Sequence, residues 1–296
     1  MNQKKQKIKL NHKIEYFVFF FFAIFIRLIP RSLAYWFGRR TGSLAYIILK
    51  SRKHIALDNL RFAFPEKETS EIKLLCKECF KNLTLSMIDM FRLDLYSEKL
   101  CKEIMEIEGE EFLRKASSEK DGIIFLTAHI GFWEAGVFLF PRYGFKTNFV
   151  AKKIKNPLIS EYIFEKRKMY DGDVIDKKNG LKKILKTLKN NDAIGVLLDQ
   201  HAHTAESVTI DFFGRPANTS IGVIQIASKK QVPIIPVFCY RIPKNRFKVI
   251  VHKPIYLNSK VGLEKNAEEI NEIIENAIKE YPSQWMWIHK RWRALN

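Results

Sequence analysis

The second half of the chain alternates short apolar runs with helical patterns, and no other feature of the sequence constrains the fold as strongly. The runs predict strands, and each segment between them is long enough for a helix. Parallel strands need such crossovers, and a parallel sheet is buried under helices. We therefore predict an α/β fold with a largely parallel central sheet covered by helices on both faces. The predicted strands are 123–126, 146–151, 173–175, 193–198, 234–240 and 247–251.

The first part of the chain has helical spacing instead. Apolar residues recur at helical intervals over 70–93, and an acidic helix is predicted over 98–111. We predict the following organisation: a basic tail and membrane-associating apolar helix over 1–30, then a single α/β domain over 31–296, which is mainly helical over 31–115 and contains the sheet and the catalytic site over 120–296.

The N-terminal apolar segment can be interpreted in three ways. Its uninterrupted core, Phe17 to Ile26, is shorter than the roughly 20 residues that span a bilayer. A spanning anchor, an interfacial helix and a buried helix all remain open. Basic residues flank the segment on both sides, with Lys13 before it and Arg27 after it. This symmetry gives no clear orientation and favours a helix that lies in the cytoplasmic leaflet.

The net charge of the chain limits the classes of molecule that it is expected to bind. Lys and Arg number 51 against 32 acidic residues, so the formal net charge is +19. Such a surface suits nucleic acid, an anionic membrane or an acidic carrier protein. The sequence has no helix-turn-helix, ribonucleoprotein or zinc-finger pattern, which argues against a nucleic-acid-binding protein. The 23 Phe residues favour the membrane. Because the chain also lacks a GxGxxG motif and a P-loop, we expect no nucleotide cofactor.

A histidine and a glutamate follow the first apolar strand, within the stretch 122–136. His129 and Glu134 are five residues apart, so on one helix they would point about 140° away from each other. They can meet if His129 lies on the loop after the strand and Glu134 begins the next helix, with Gly131 at the turn. An imidazole held by a carboxylate is a general base for a hydroxyl group. A histidine at a strand end is more often structural, so the pair alone does not decide.

The HxxxxE spacing resembles the HX4(D/E) box of glycerolipid acyltransferases, and within that superfamily the chain is similar to the lipid A biosynthesis lauroyl and myristoyl transferases. The resemblance covers nearly the whole chain. Its other blocks, in order, are NLRFAFP at 59–65, NPL at 156–158 with Arg167 downstream, LDQ at 198–200, FFGRPA at 212–217, VPIIP at 232–236 and WIHKRW at 287–292.

The resemblance implies a direct transfer without a covalent acyl-enzyme. In that mechanism His129 deprotonates an acceptor hydroxyl, and Glu134 orients the imidazole and supports its charge. This agrees with the lack of a GxSxG motif. It also implies a set of substrate-binding residues at the matching positions: Arg167 (or Lys166, one register away), Asp199, Gln200 and Arg215.

The implied substrates are an acyl carrier protein thioester as donor and a lipid A precursor as acceptor, at the cytoplasmic side of a bacterial inner membrane. An acceptor that is another glycolipid or a lysophospholipid stays open. The resemblance implies no metal, although Asp199, His201, His203 and Glu206 have a spacing that could bind one. His289 and Arg291 are interpreted as residues that fix the C-terminal segment.

Overall fold

A computed structural model describes residues 8–119, 121–177, 180–202 and 206–292. The helices are α1 (Leu10–Leu28), α2 (Arg31–Ile48), α3 (Lys50–Ala63), α4 (Thr69–Phe91), α5 (Glu98–Ile104), α6 (Glu110–Glu119), α7 (Gly136–Leu139), α8 (Pro157–Arg167), α9 (Leu181–Lys189), α10 (Gly222–Lys230) and α11 (Gly262–Glu280). The strands are β1 (Met105–Glu108), β2 (Ile123–Thr127), β3 (Thr147–Ala151), β4 (Val174–Asp176), β5 (Ala193–Leu197), β6 (Ser207–Phe212), β7 (Arg215–Ser220), β8 (Ile234–Ile242) and β9 (Arg246–Val251).

Seven strands form the central sheet, in the order β1-β9-β8-β2-β5-β3-β4. All neighbouring pairs are parallel except β8 and β9, which form an antiparallel hairpin. The largely parallel sheet predicted from the sequence is therefore confirmed. Because β2, β5 and β8 run in the same direction, the loops that follow them lie along one edge of the sheet.

Alternate side chains of the strands enter two separate hydrophobic cores. Ile124 and Leu126 of β2 pack into a core that includes residues of α3, α4, α10 and α11. Ile123 and Phe125 point the other way, into a core that includes residues of α5, α6 and α7. This alternation follows from the pleat of a strand, in which successive side chains face opposite sides. The sheet is thus covered on both faces, and the edge formed by the loops after β2, β5 and β8 is where a site can form.

The predicted acidic helix over 98–111 is wrong. The chain forms the short helix α5, then the edge strand β1, and α6 begins after Gly109. In β1 buried and exposed residues alternate, and Met105 to Glu108 pair with Phe247 to Ile250 of β9. Gly109 has a φ of 77°, and a Cβ atom there would lie 2.0 Å from the carbonyl oxygen of Val251. Tertiary pairing and this glycine override the local helical preference.

The hairpin of β6 and β7 is a second element that was not predicted from the sequence. Phe213 and Gly214 both have positive φ, at 55° and 74°, which is the geometry of a tight hairpin turn. Asn218 to Ser220 belong to β7 rather than to the start of the following helix, and α10 begins at Gly222. The hairpin packs against α11, where the backbone N–H of Phe213 donates to the Glu275 carboxylate at 2.7 Å.

Helix α1 has one packed face and one exposed face. Ala23 and Ile26 are fully buried in a small core shared with α2 and α4. Phe17 and Phe21 are 71% and 67% exposed. Over the ranges that the structure describes, no helix is both long and apolar enough to cross a membrane.

Candidate active site

His129 and Asp199 lie side by side at the loop edge of the sheet. His129 lies two residues after the end of β2, and Asp199 lies two residues after the end of β5. The two strands are parallel neighbours in register, with Thr127 opposite Leu197. Equal offsets from paired strand ends place the two side chains opposite each other, across one strand spacing of about 4.8 Å.

The imidazole of His129 is hydrogen-bonded to Asp199. Its Nδ1 atom lies 2.9 Å from Oδ1 and 3.2 Å from Oδ2, and the backbone N–H of His129 donates to Oδ2 at 3.0 Å. The indole N–H of Trp285 donates to the same Oδ2 at 2.7 Å. Three donors therefore fix a carboxylate that is 1% exposed. The arrangement resembles the carboxylate–imidazole half of a hydrolase triad.

This environment sets the protonation of the pair. Burial alone would raise the pKa of Asp199, but the charge and hydrogen bonds of His129, together with Trp285, lower that pKa to about 2. An ionised Asp199 accepts a hydrogen bond from the Nδ1–H group, which leaves the lone pair on Nε2. The side-chain nitrogen of Gln200 lies 3.3 Å from Nε2 and can donate to that lone pair. The basic nitrogen of His129 thus points away from Asp199, towards Gln200.

Glu134 makes a different contact from the one expected. Arg167 binds it with two parallel hydrogen bonds, from Nε to Oε2 at 2.9 Å and from Nη2 to Oε1. The indole N–H of Trp133 donates to Oε1 at 3.2 Å. The prediction that Glu134 holds the His129 imidazole is corrected, because Asp199 holds Nδ1 and Arg167 binds both Glu134 oxygens. A catalytic role for Glu134 stays a prediction.

Glu134 is nevertheless close enough to His129 to interact with its charge. Burial would raise the pKa of Glu134, but the charge and hydrogen bonds of Arg167, followed by the charge of His129, lower it. The pKa of Arg167 is raised: burial would lower it, and the paired Glu134 carboxylate outweighs that effect. Arg167 is only partly buried in this pair, with 19% of its side chain exposed, and its expected contact with a substrate phosphate or carboxylate stays a prediction.

Gly131 lets the His129 loop pack against β8. Its φ is 52°, and a Cβ atom there would lie 2.2 Å from the carbonyl oxygen of Cys239. The next residue, Phe132, donates its N–H to that same oxygen at 2.8 Å. Any side chain at residue 131 would therefore push the loop off the sheet and displace both His129 and Glu134.

The C-terminal segment contributes residues to the site, whereas the sequence predicted only that His289 and Arg291 fix this segment. Besides Trp285, it places His289 where the charges of Asp199 and His129 act on it. Burial is the largest cause that lowers the pKa of His289 to about 4, the charge of Asp199 opposes this shift, and the charge of Arg291 adds to it. Its Nδ1 is buried, with no hydrogen-bond partner among the described residues. A sequence signal existed: three of the five tryptophans fall within residues 285–292.

Arg291 fixes this segment as the sequence interpretation has it. The guanidinium is fully buried, and it donates to the Asn218 carbonyl and, at 2.7 Å, to the Thr219 hydroxyl. Burial lowers the pKa of Arg291 to about 10. Its long contact with the Gln200 carbonyl, at 3.5 Å, connects the segment to the loop that carries Asp199.

The remaining predicted residues lie apart from the histidine. Lys166 points to the other side of α8 from Arg167 and binds Asp94 at 2.5 Å. Arg215 begins β7, with its guanidinium over the Phe62 ring at 5.4 Å. Its substrate role stays a prediction. His203 lies outside the described residues, and within them no group of three His, Cys, Asp or Glu side chains could hold a metal ion.

Comparisons with known proteins agree on one family. A sequence profile of the bacterial lipid A biosynthesis acyltransferases matches residues 3–294. A lipid A biosynthesis acyltransferase of Haemophilus influenzae is 24% identical over 90% of this chain and 84% of its own length. The lipid A biosynthesis lauroyltransferase of Escherichia coli is 24% identical over 90% of this chain and 87% of its own.

Two more distant matches are also acyltransferases by name. A phosphatidylinositol mannoside acyltransferase of Mycobacterium tuberculosis is 25% identical over 51% of this chain and 50% of its own length. The crystal structure of a 1-acyl-sn-glycerophosphate acyltransferase from Thermotoga maritima covers 85% of this chain and 97% of its own, with 18% identity and a TM-score of 0.39.

Proposed function

Because the chain belongs to the family of bacterial lipid A biosynthesis acyltransferases, we propose that it transfers a fatty acyl chain from an acyl carrier protein thioester to a hydroxyl group of a lipid A precursor. The names of its relatives support the acceptor, since lauroyl and myristoyl transfers to lipid A are secondary acylations. The formal net charge of +19 supports an acidic carrier protein as donor.

The observation that carries the mechanism is the hydrogen-bond chain from Trp285 through Asp199 to His129 Nδ1. It leaves Nε2 as the base. In the proposed step Nε2 takes the proton of the acceptor hydroxyl while the hydroxyl oxygen attacks the thioester carbonyl. The tetrahedral intermediate then expels the carrier thiolate, which takes the proton from the imidazolium. An ester forms, a thioester breaks, and His129 returns to its neutral state.

In this proposal the acceptor hydroxyl binds at the position that the Gln200 side chain now occupies. Its side-chain nitrogen is 3.3 Å from Nε2, which is hydrogen-bond distance from the reacting atom. A hydroxyl that binds there replaces the amide as the partner of Nε2. Gln200 is then free to hydrogen-bond the acceptor oxygen or a neighbouring group of the acceptor.

Glu134 and Arg167 act on the same histidine from a second direction. Glu134 contributes a negative charge that favours the imidazolium, and Arg167 holds that carboxylate in place. Because Arg167 is the last residue of α8, the pair also fixes this helix against the loop that carries His129. We therefore propose that Glu134 supports the charge of His129 from a distance, while Asp199 holds its ring.

Membrane attachment at the cytoplasmic side of the inner membrane is part of the proposal. The exposed face of α1, with Phe17 and Phe21, offers apolar surface to a bilayer, while Ala23 and Ile26 hold the helix on the protein. Such a two-faced helix suits attachment in the plane of the interface. The acceptor lipid then reaches the loop edge of the sheet without leaving the membrane.

The test is mass spectrometry of lipid A from cells that lack this protein, complemented with the wild type or with His129→Ala. The wild type should restore one acyl chain, whose mass gives its length, and His129→Ala should not. If lipid A is unchanged by the deletion while another glycolipid or a phospholipid loses an acyl chain, the acceptor is the alternative class. Equal restoration by His129→Ala contradicts the mechanism.

The donor needs a separate measurement. Purified enzyme should show a lower KM for the acyl carrier protein thioester than for the coenzyme A thioester, and that difference should shrink as salt rises. Equal KM values at every ionic strength would argue against recognition of a carrier protein.

A further inference from the structure

A basic cavity of about 180 Å³ lies between α2, α4 and the turn that joins β8 to β9. Its lining contains five cationic side chains and one carboxylate, Glu78. The cations are Arg39 of α2, Lys81 of α4, and Arg241, Lys244 and Arg246 around the turn. None of these residues is part of the proposed catalytic machinery.

Two of the five cations have no carboxylate to neutralise them. Lys81 is paired with Glu78 at 2.6 Å, Arg246 with Glu106 at 2.8 Å, and Arg241 with the buried Asp89. Arg39 instead donates to the Asn245 side-chain oxygen, and Lys244 is exposed at the turn. Within the part of the chain that the structure describes, no acidic side chain lies within ion-pair distance of either. The cavity therefore carries an uncompensated positive charge.

The surroundings of the cavity are also short of hydrogen-bond acceptors. The Nε–H groups of Arg241 and Arg246 are buried and have no partner among the described residues, and the same holds for Arg31, whose Nη2 binds the Asn245 carbonyl at 2.5 Å. Unsatisfied buried donors are unfavourable and uncommon. An anion in the cavity would supply acceptors to the exposed cations and a negative charge to the whole arginine cluster.

The position of the cavity connects it to the active site. Strand β8 is parallel to β2 and next to it, so its carboxyl end lies at the same edge of the sheet as His129. Arg241 donates to the Ser86 hydroxyl at 3.1 Å, and Ser86 donates to the Gly131 carbonyl at 2.5 Å. The wall of the cavity is thus hydrogen-bonded to the catalytic loop.

Helix α2, which contributes Tyr35 and Arg39 to the lining of the cavity, also has exposed apolar residues. These residues are Leu33, Trp36 and Leu44. A positive cavity lined in part by a helix with exposed apolar residues matches an amphiphile with an anionic head. We propose that this cavity, which we call the arginine cavity, binds the phosphate group of a lipid molecule. Arg39 and Lys244 hold the phosphate oxygens, and the lipid chains lie along α2.

The test compares two double variants that lose the same charge. Arg39→Gln/Lys244→Asn removes the two uncompensated cations, and asparagine suits the positive φ of 62° at residue 244. Lys253→Gln/Lys260→Gln is the control, with both residues exposed and outside the cavity. Sedimentation with phosphatidylcholine vesicles, with and without phosphatidic acid, measures binding. Circular dichroism and melting temperatures without ligand confirm that all variants fold.

Phosphatidic acid should increase vesicle binding of the wild type and the control. The affinity of the cavity variant for the phosphatidic acid vesicles should be about thirtyfold lower than that of the control, since each of its two missing basic residues contributes about 1 kcal/mol near an anionic surface. Equal losses in both variants would mean a general charge effect and overturn the proposal. So would a cavity variant that binds vesicles normally and only raises KM for the carrier protein thioester.

A second measurement distinguishes the source of the phosphate. Inorganic phosphate, compared with chloride at equal ionic strength, should raise the melting temperature of the wild type and not of the cavity variant if the phosphate group alone suffices. A response to phosphatidic acid without a response to inorganic phosphate assigns the site to the lipid as a whole. Both results support the arginine cavity, and neither depends on the proposed acyl transfer.

Discussion

Two buried carboxylates lie near one imidazole, and they are neutralised in different ways. Asp199 accepts hydrogen bonds from His129 and the Trp285 indole, whereas Glu134 accepts them from Arg167 and the Trp133 indole. The positive partner of Glu134 is permanent, because arginine stays protonated. The partner of Asp199 becomes positive only when His129 takes a proton. In the proposed mechanism Asp199 is therefore stabilised most when His129 is protonated, whereas the charge of Glu134 is already neutralised by Arg167.

Replacement of the two carboxylates should separate these roles most clearly. Asp199→Asn should lower kcat by about 10²–10⁴, because the amide no longer fixes the tautomer that leaves the lone pair on Nε2 and no longer supports the imidazolium. Glu134→Gln should lower kcat by a smaller factor, on the order of 10–10². Steady-state kinetics on the purified variants measures both.

The same pair can be tested against the histidine. In a His129→Ala background, Asp199→Asn should cause almost no further loss, since both residues act as one unit. Glu134→Gln should still reduce the residual activity, because part of its effect is exerted through Arg167. Two results together would show that the general base is a His129–Glu134 pair instead. Glu134→Gln would lower kcat more than Asp199→Asn does, and it would have no further effect in the His129→Ala background.

The ion pair of Arg167 and Glu134 should contribute more to the stability of the fold than the pair of His129 and Asp199. Arg167→Gln leaves the Glu134 carboxylate buried and without its cation, which should lower the free energy of unfolding by about 3–5 kcal/mol. The double variant Arg167→Gln/Glu134→Gln should recover part of that loss, because two amides can hydrogen-bond without a buried charge. Urea unfolding measures all three variants. A loss below about 1 kcal/mol for Arg167→Gln would show that the pair is not a stabilising contact.

The sequence predicted the positions of His129 and Asp199 in the fold more accurately than it predicted the contacts that these residues make. Apolar runs and crossover lengths are local, so they were enough to place β2, β5 and the loop edge that carries His129 and Asp199. The five-residue spacing to Glu134 suggested a contact with His129 because both residues lie in one stretch. The contact that forms joins residues 70 positions apart, because β2 and β5 are neighbours in the sheet. Strand order is a property of the whole fold.

Other features were not predicted from the sequence for the same reason, because they also depend on contacts between distant parts of the chain. Trp285 reaches Asp199 from 86 residues away, and the edge strand β1 exists only because β9 lies beside it. Arg167 was identified as a site residue, but its partner is a carboxylate of the protein. A partly buried arginine and a buried carboxylate pair wherever the fold brings them close, and no spacing along the chain encodes that pairing.

His289 offers a pH-dependent test on the Asp199 side of the site. Its pKa is about 4 in the folded protein and near its ordinary 6.5 when unfolded. Below pH 6.5 the unfolded chain therefore binds a proton that the folded protein does not. Stability is present above pH 6.5 and falls between pH 6.5 and 4, by about 3 kcal/mol at most. His289→Gln should flatten the pH dependence of the free energy of unfolding in this window. An unchanged slope would mean that His289 is not held neutral by the fold.

The two indoles give the finest comparison, because each carboxylate accepts one N–H from a tryptophan. The bond from Trp285 to Asp199 is 2.7 Å long, whereas the bond from Trp133 to Glu134 is 3.2 Å. Trp285→Phe keeps an aromatic ring and removes the donor, so Asp199 loses one of the groups that orient it. Such a charge-assisted bond is worth on the order of 1–2 kcal/mol, and kcat should fall roughly fivefold to thirtyfold.

Trp133→Phe is the matched control. Glu134 keeps both bonds from Arg167, so this substitution should change kcat by less than about twofold, and the phenyl ring preserves the aromatic packing against His129, whose ring centre lies 5.4 Å from the Trp133 ring. Melting temperatures exclude a simple loss of folding, which matters because Trp285 is almost fully buried and its truncation leaves a cavity. A larger kinetic loss for Trp133→Phe than for Trp285→Phe would reverse the comparison, because it would make the orientation of Glu134 the more sensitive element of the site.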